Sequence, residues 1–358
     1  MKKLILLLSS VLVFALAGCG NNAAVSKIIG GGATFPKELY DAMFAKYKQI
    51  SGVEVNYQGL GSGAGQKGIS QMTLEFGASD SPFSDQDAAK FKTDHNGTEL
   101  IHIPTCIGAI AIAYNLKGDG LTKEKPLNMT PEVIADIFMG NITKWNDARI
   151  AGLNPGVKLP DMDIVVVHRN DSSGTTFAFT DYLALAAPKW LEMMGKGAKD
   201  VAWKTGKGGQ GNQGVAAEVA KTDGSIGYME LAFAESGGFA YAAVRNQSGN
   251  FILPSIEGVI AAGDTAIPDH TRCSIANTAS PNGYPIASFT WVLLYQEQNY
   301  NKRTLEQAKA LVDMAWWMTH DGQALAKPLY YAPLPATAVA KVEILLKSVT
   351  YNGQPVMK

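Results

Sequence analysis

Three short stretches of this chain combine glycine with hydroxyl side chains where a strand should give way to a helix. They are Gly31-Gly32-Ala33-Thr34-Phe35-Pro36, Gly59-Leu60-Gly61-Ser62-Gly63-Ala64-Gly65 and His168-Arg169-Asn170-Asp171-Ser172-Ser173-Gly174-Thr175-Thr176. The first turn of a helix presents unpaired backbone N–H groups and a partial positive charge, which together favour an anion. Glycine lets backbone approach a ligand closely, and Thr34, Ser62, Ser173 and Thr175 would add hydroxyl donors. Arg169 is the one cation within these loops, and its planar fork matches a tetrahedral oxyanion. Each loop taken alone reads as a turn or an N-cap. Three of them in one chain, one with an arginine, point to an anion site.

Asp80, in Gly77-Ala78-Ser79-Asp80-Ser81-Pro82, closes a strand and by itself reads as a turn or cap aspartate. Beside an anion, its negative charge is tolerated only if the ligand brings a proton. Phosphate at neutral pH carries one or two; sulfate carries none. A binder of sulfate or molybdate is therefore the nearest alternative, opposed chiefly by Asp80. Hydrolysis of a phosphomonoester by Ser173 would need a base or metal to activate the hydroxyl. His95, His102, His168, His270 and His320 are scattered, and no metal-ligand spacing occurs,. Gly59-x-Gly61-x-x-Ala64 followed by Asp80 loosely follows a dinucleotide fingerprint,, a reading that an exported chain without a soluble NAD pool rules against.

The loops require strands before them and helices after them. Lys27 to Gly30, Val53 to Tyr57, Leu74 to Ala78, Glu99 to Ile103, Ile107 to Tyr114, Ile164 to Val167, Ser225 to Met229 and Ser288 to Tyr295 read as strands,. Pro36 to Gln49, Gly65 to Thr73, Val133 to Met139, Thr175 to Leu185, Val215 to Lys221 and Thr304 to His320 read as helices, with cap signals at Ser84 and Thr130,. Lys189 to Gln213 reads as exposed connection, and Asn246 to Gly283 shows no period. The alternation predicts α/β layers with mostly parallel sheets and a ligand at the carboxyl ends of the strands. Crossovers near Pro104-Thr105 and Pro285-Ile286 would divide the chain into lobe I (27–105 with 287–358) and lobe II (106–286), joined by a two-strand hinge,.

Length and composition fit this picture. The 358 residues suit two domains,. With 31 Lys plus Arg against 32 Asp plus Glu, the formal charge is −1, so no basic field is present to hold nucleic acid. Met1-Lys2-Lys3 followed by the apolar run Leu4 to Leu16 is too short for a comfortable bilayer span and reads as a signal peptide,. Leu16-Ala17-Gly18-Cys19 then matches a bacterial lipoprotein signal, with 1–18 removed, Cys19 lipidated and 19–26 a tether,. The expected location is periplasm or cell surface, anchored only through the lipid. Of the remaining cysteines, Cys106 lies in an apolar run and reads as a buried, inert thiol; an oxidising compartment permits but does not require a bond to Cys273,.

Separated motifs agree in one further respect. Gly-Ala-Thr-Phe-Pro (32–36), Val-Asn-Tyr-Gln-Gly-x-Gly-Ser (55–62), Phe-Gly-Ala-Ser-Asp (76–80), Lys-Trp-Asn-Asp (144–147), Leu-Asn-Pro-Gly (153–156), Arg-x-Asp-x-Ser-Gly-Thr (169–175) and Ile-Gly-Tyr (226–228) occur in this order. The chain thereby resembles the periplasmic phosphate-binding proteins of bacterial phosphate-specific ABC transporters. The resemblance implies a type II periplasmic-binding-protein fold, an α/β pair of lobes closing on inorganic phosphate, with permease subunits as partners, no cofactor, no metal, no enzymatic activity and a monomeric state. It further implies that Thr34 and Phe35 offer backbone N–H groups, Ser62 and the Thr34 side chain offer hydroxyls, and Asp80 accepts the ligand proton. Arg169 would form the ion pair, steadied by Asp171, while Ser173, Gly174 and Thr175 donate from a helix start. The chain departs from the family at Gly63, where a second serine is commoner, which removes a donor at that position. His168 stands where arginine is frequent and reads as a satisfied strand-end histidine.

Overall fold

The computed structural model describes residues 25–116 and 125–357. The apolar leader, Cys19 and most of the tether lie outside the described residues.

The chain enters as the strand Lys27–Gly32 and turns at Pro36 into the helix Lys37–Ser51. Leu39, Tyr40, Met43, Phe44 and Tyr47, spaced along one helical face, are all buried,. Gly52 ends this helix in the left-handed region (φ 76°) and donates its N–H to the Lys48 carbonyl,. The strand Glu54–Gly59 then lies parallel to the first, and Phe76–Ser79 lies parallel on its other side. Thr34 and Phe35, Ser62, and Asp80 follow the last residues of these three strands, so one carboxyl edge collects all of them. The second block repeats the device: Val165–Arg169 runs parallel to Lys207–Gly209 and to Ser225–Glu230.

The two blocks share one nine-stranded sheet, ordered Glu54–Gly59, Lys27–Gly32, Phe76–Ser79, Ala287–Tyr295, Leu100–Asn115, Ser225–Glu230, Val165–Arg169, Lys207–Gly209, with Ala240–Tyr241 also on Leu100–Asn115. Its flanks are parallel as expected, but its centre is not. Ala287–Tyr295 is antiparallel to both neighbours, and Leu100–Asn115 is antiparallel to Ser225–Glu230. The two strands expected over 99–114 are one, Leu100–Asn115, running through Pro104. A β-bulge makes this possible: Thr290 faces Cys106 and Trp291 faces Pro104, leaving Thr105 as the extra residue. The bulge absorbs the proline's missing N–H, and the Thr105 hydroxyl bonds the Thr290 carbonyl (3.2 Å) and the Tyr40 hydroxyl (2.6 Å). The strand changes partner further on, pairing with Ala287–Tyr295 as far as Ala109 and with Ser225–Glu230 from Ile110.

Two stretches differ from expectation in kind. Within 189–213, Trp190 is fully buried in the helix Pro188–Met194, Lys207–Gly209 closes the sheet edge, and the helix Gly211–Lys221 has begun. Between 246 and 283 lie a short strand, Phe251–Ile252, and the helix Ile256–Gly263. The irregular chain beyond is pinned by side chains: Trp291 Nε1 donates to the Thr271 carbonyl (3.0 Å) and the Tyr284 hydroxyl to the Ile110 carbonyl (2.7 Å). Elsewhere the cap signals are realised, with Ser84, Thr130, Ser173 and Thr304 each accepting from an N–H of the first turn,.

The second loop is tighter than its sequence suggests, since the helix Ser62–Ser70 starts within it. Gly65 of that helix packs directly on the first sheet edge. A Cβ there would stand 2.5 Å from the Ala78 carbonyl oxygen, 2.8 Å from Gly32 Cα and 2.9 Å from the Gly31 carbonyl oxygen, all backbone atoms. Gly65→Ala is expected to destabilise the protein by roughly 1–3 kcal/mol in urea unfolding, as overpacking against backbone does. A loss below about 0.5 kcal/mol would contradict this packing.

Candidate functional site

The four residues expected from the first block are buried side by side. Ser62 Oγ accepts from the Asp80 backbone N–H (3.1 Å) and donates to Asp80 Oδ2 (3.3 Å). Asp80 Oδ1 accepts a 2.6 Å bond from the Thr290 hydroxyl. Thr34 and Phe35 lie in the turn before the helix Lys37–Ser51, where the Tyr57 hydroxyl donates to the Ala33 carbonyl (2.5 Å) and the Tyr331 hydroxyl to the Phe35 carbonyl (2.6 Å). Thr34, Phe35, Ser62 and Asp80 are each 1% exposed or less.

The second block supplies the cation. Arg169 ends its strand at 3% exposure. Its Nε and Nη2 donate to the two carboxylate oxygens of Asp171 (2.7 and 2.5 Å), and Nη1 donates to Thr175 Oγ1 (3.2 Å). A guanidinium has five N–H groups, so one on each terminal nitrogen remains for a ligand. Ser173 caps the helix Gly174–Ala186, its Oγ accepting from the Thr176 N–H (3.0 Å), which leaves its own proton to donate. Gly174 closes on the other block: a Cβ there would sit 2.3 Å from Ser62 Oγ and 2.6 Å from Asp80 Oδ2. The structure therefore brings Thr34, Phe35, Ser62, Asp80, Arg169, Asp171, Ser173, Gly174 and Thr175 into one buried junction between the blocks. The blocks also touch where the Gly63 N–H donates to the Ser172 carbonyl (2.9 Å). A side chain on Gly63 would meet Ser172 Cβ at 2.4 Å, which accounts for the glycine at that position.

Four members of this junction lie outside the sequence motifs. Asn212, fully buried, donates to both Thr34 and Thr175. Thr290 bonds Asp80 across 210 residues of chain. Glu230 and Tyr331 meet at 3.0 Å between Oε2 and the hydroxyl. A glycine-flanked asparagine at a helix start (Gly211-Asn212-Gln213-Gly214) was the one clue available, and it reads equally as a cap. His168, by contrast, is satisfied as expected: its ring stacks on Trp203 and Nδ1 bonds the Arg169 carbonyl.

Burial dominates the electrostatics. It pushes the Asp80 carboxyl up to about 7, against the Thr290 bond, the Arg169 charge and the Ser62 bond, which all pull it down,. Burial also raises Glu230 well above the carboxylate range. The single proton of the Tyr331 hydroxyl already serves Phe35, so a protonated Glu230 completes that chain. For Asp171, burial is outweighed by its bonds to Arg169 and the Gly211 N–H, and its carboxyl stays below the usual value. Burial raises the Cys106 thiol, and Cys106 and Cys273 are both free. Among the described residues, no group of three or more His, Cys, Asp or Glu could hold a metal ion.

Two α/β blocks whose strand ends meet around a buried arginine, hydroxyls and helix starts define a solute-binding protein of the periplasmic-binding-protein class. Residues 18–321 match the family model described as a PBP superfamily domain. The phosphate-binding protein PstS of Pasteurella multocida (strain Pm70) is 39% identical over 324 residues, 90% of either chain. That of Methanocaldococcus jannaschii is 35% identical, covering 90% of this chain and 87% of its own. This chain belongs to the PstS phosphate-binding protein family. In three dimensions it shares the fold of a phosphate-binding protein from Stenotrophomonas maltophilia (TM-score 0.68, 19% identity, 89% of this chain and 93% of that one). It likewise matches a high affinity periplasmic phosphate-binding protein, PfluDING, bound with phosphate (TM-score 0.70, 24% identity, 89% and 93%). The periplasmic-binding-protein fold expected from the motifs is the one observed.

The Asp80 shift has a consequence for stability. Its folded pKa, about 7, lies above its unfolded value near 4. The stabilisation from the protonated carboxyl is complete below about pH 4 and is lost as pH rises through about 7. In buffer free of phosphate and sulfate, Asp80→Asn should therefore gain on the parent from about pH 4 upward, reaching a few kcal/mol and levelling off above about pH 8. Thermal unfolding of both proteins across this range checks it; a pH-independent difference would contradict the shift.

Proposed function

We propose that this protein is the extracytoplasmic receptor that captures inorganic phosphate and delivers it to the permease of an ABC transporter. It is a binding protein and not an enzyme. The observation that carries the ligand assignment is the composition of the junction: one arginine paired with Asp171, several hydroxyl and helix-start donors, and a carboxyl without a cation of its own, Asp80, bonded to Ser62 and within reach of Gly174. A desolvated oxyanion needs nearly every oxygen hydrogen-bonded. Arg169 is already partnered by Asp171, so neutral donors must hold most of the ligand charge: Thr34, Ser173 and Thr175 through hydroxyls, Phe35 and Gly174 through N–H groups, and Ser62 once its proton turns from Asp80 Oδ2 to the anion.

Asp80 supplies selectivity in this reading. An ionised Asp80 accepts the proton of hydrogen phosphate but faces sulfate as an unpaired acceptor, at a cost of several kcal/mol or roughly 100-fold or more in affinity. The division into lobe I (27–105 with 287–358) and lobe II (106–286) gives closure its meaning. The lobes shut on the anion about the two central strands, and the closed shape is what a permease would recognise. Export and anchoring through Cys19 follow from the leader at 1–18, and among the described residues no helix is long and apolar enough to cross a membrane.

Calorimetry on residues 20–358 with phosphate and sulfate tests the assignment; equal affinity for both, or heat from neither, would overturn it. Asp80→Asn should relax phosphate-over-sulfate selectivity more than it weakens phosphate binding. In the parent, the same selectivity should shrink as pH falls below about 7, where Asp80 gains a proton it can donate to sulfate. Selectivity unmoved by either change would remove Asp80 from this role. Separately, Arg169→Lys should keep more affinity than Arg169→Ala but lose at least about tenfold, because an ammonium keeps the charge without the fork that serves Asp171, Thr175 and ligand together; full retention in the lysine variant would rule out the fork.

A further inference from the structure

Asn212 touches both blocks and engages its backbone N–H and both polar atoms of its side chain. Its backbone N–H and one Nδ2 proton both go to Thr34 Oγ1 (3.2 and 3.1 Å). The other Nδ2 proton goes to Thr175 Oγ1 (3.2 Å). Its Oδ1 accepts from the Glu230 backbone N–H (3.0 Å). That last bond fixes which way the amide faces: an N–H can be answered only by the amide oxygen, so the nitrogen must point at the two threonines.

The two hydroxyls that receive it are thereby filled on their acceptor side. A hydroxyl oxygen has two lone pairs. At Thr34 both are taken by Asn212. At Thr175 one is taken by Asn212 and the other by Arg169 Nη1. Neither oxygen can then accept from a ligand, and the only hydrogen-bonding capacity left at each is its proton.

We propose that Asn212 is the positioning residue that sets the polarity of the oxyanion site, holding the Thr34 and Thr175 hydroxyls as obligate donors, one from each block, by occupying their acceptor positions. The assignment rests on the oxyanion reading above and gives it a mechanism. A freely rotating hydroxyl can turn either a proton or a lone pair to its neighbour, so it neither prefers a charged oxygen nor rejects a protonated one. With both hydroxyls locked as donors, neither can accept a ligand proton, which leaves that role to Asp80 rather than to them. Because Thr34 and Thr175 belong to different blocks, the arrangement is complete only when the blocks are together. Asn212 therefore also couples closure to the readiness of the site.

A double-mutant cycle separates this from a packing role. Phosphate affinity is measured by calorimetry for the parent, Asn212→Ala, Thr34→Val/Thr175→Val and the triple variant. Losing the orientation of two donors should weaken binding of Asn212→Ala roughly tenfold or more relative to the parent. In the valine background there are no hydroxyls to orient, and the same change should cost about twofold or less. Equal losses in the two backgrounds would overturn the assignment while leaving phosphate binding intact. A parent that titrates with no oxyanion would overturn the functional reading and this one with it. Should the alanine variant not fold, the near-isosteric Asn212→Asp runs the same cycle: its oxygens would claim both hydroxyl protons, so its loss must again shrink in the valine background, and an undiminished loss would refute the proposal.

Discussion

The buried fork between Arg169 and Asp171 is the interaction around which the junction is assembled. A guanidinium at 3% exposure is held only if a carboxylate answers it, and removing one member of such a pair typically costs 3–5 kcal/mol, because the other is left unpaired. Asp171 does more than neutralise. Its Oδ1 also accepts from the Gly211 N–H, which fixes the start of the helix Gly211–Lys221 and so brings Asn212 into place. Its Oδ2 lies 2.4 Å from where a Cβ on Gly61 would be, so the second loop of the other block is shaped to rest against it. From one ion pair follow the register of two helix starts, the seat of the opposing loop and the direction of the two guanidinium N–H groups that remain.

Glycine is what lets the blocks meet so closely. Gly61 stands in the left-handed region (φ 100°), strained for any L side chain, and opposes Asp171. Gly63 opposes Ser172, and Gly174 opposes Ser62 and Asp80. None of these contacts would survive a methyl group without displacement of a polar neighbour. The absence of side chains here sets the distance at which donors from two separate sheet edges can address the same small anion.

Much of this was legible before the structure. The helical face of Leu39, Tyr40, Met43, Phe44 and Tyr47, the cap at Ser173 and the three strand-to-helix loops are local patterns, and local patterns survive folding. What escaped was non-local. Pro104 looked like a strand end because its missing N–H usually is one; only Thr290, 185 residues from Thr105 and bonded to it, supplies the bulge that carries the strand through. Trp190 and Lys207–Gly209 looked like connection because single buried residues and three-residue strands have no period to detect. Asn212, Thr290 and Tyr331 meet their partners across 178, 210 and 296 residues, and no spacing within one stretch of chain encodes such meetings.

The selectivity proposed for Asp80 depends in turn on Thr290. A solvated Asp80 would be ionised at neutral pH, yet water would satisfy it whichever anion was bound, and sulfate would meet little penalty. A buried Asp80 with no donors would hold its proton far above neutrality and could offer it to sulfate, which again erases the difference. Selectivity needs the carboxyl to be both dry and able to ionise. Burial provides the first condition. The 2.6 Å bond from Thr290, the charge of Arg169 and the Ser62 hydroxyl oppose burial and leave the group near 7 rather than higher. The strand that carries Thr290 is the same Ala287–Tyr295 that holds the first block's edge to the shared central strand, so the element that joins the fold also keeps Asp80 within range of ionisation.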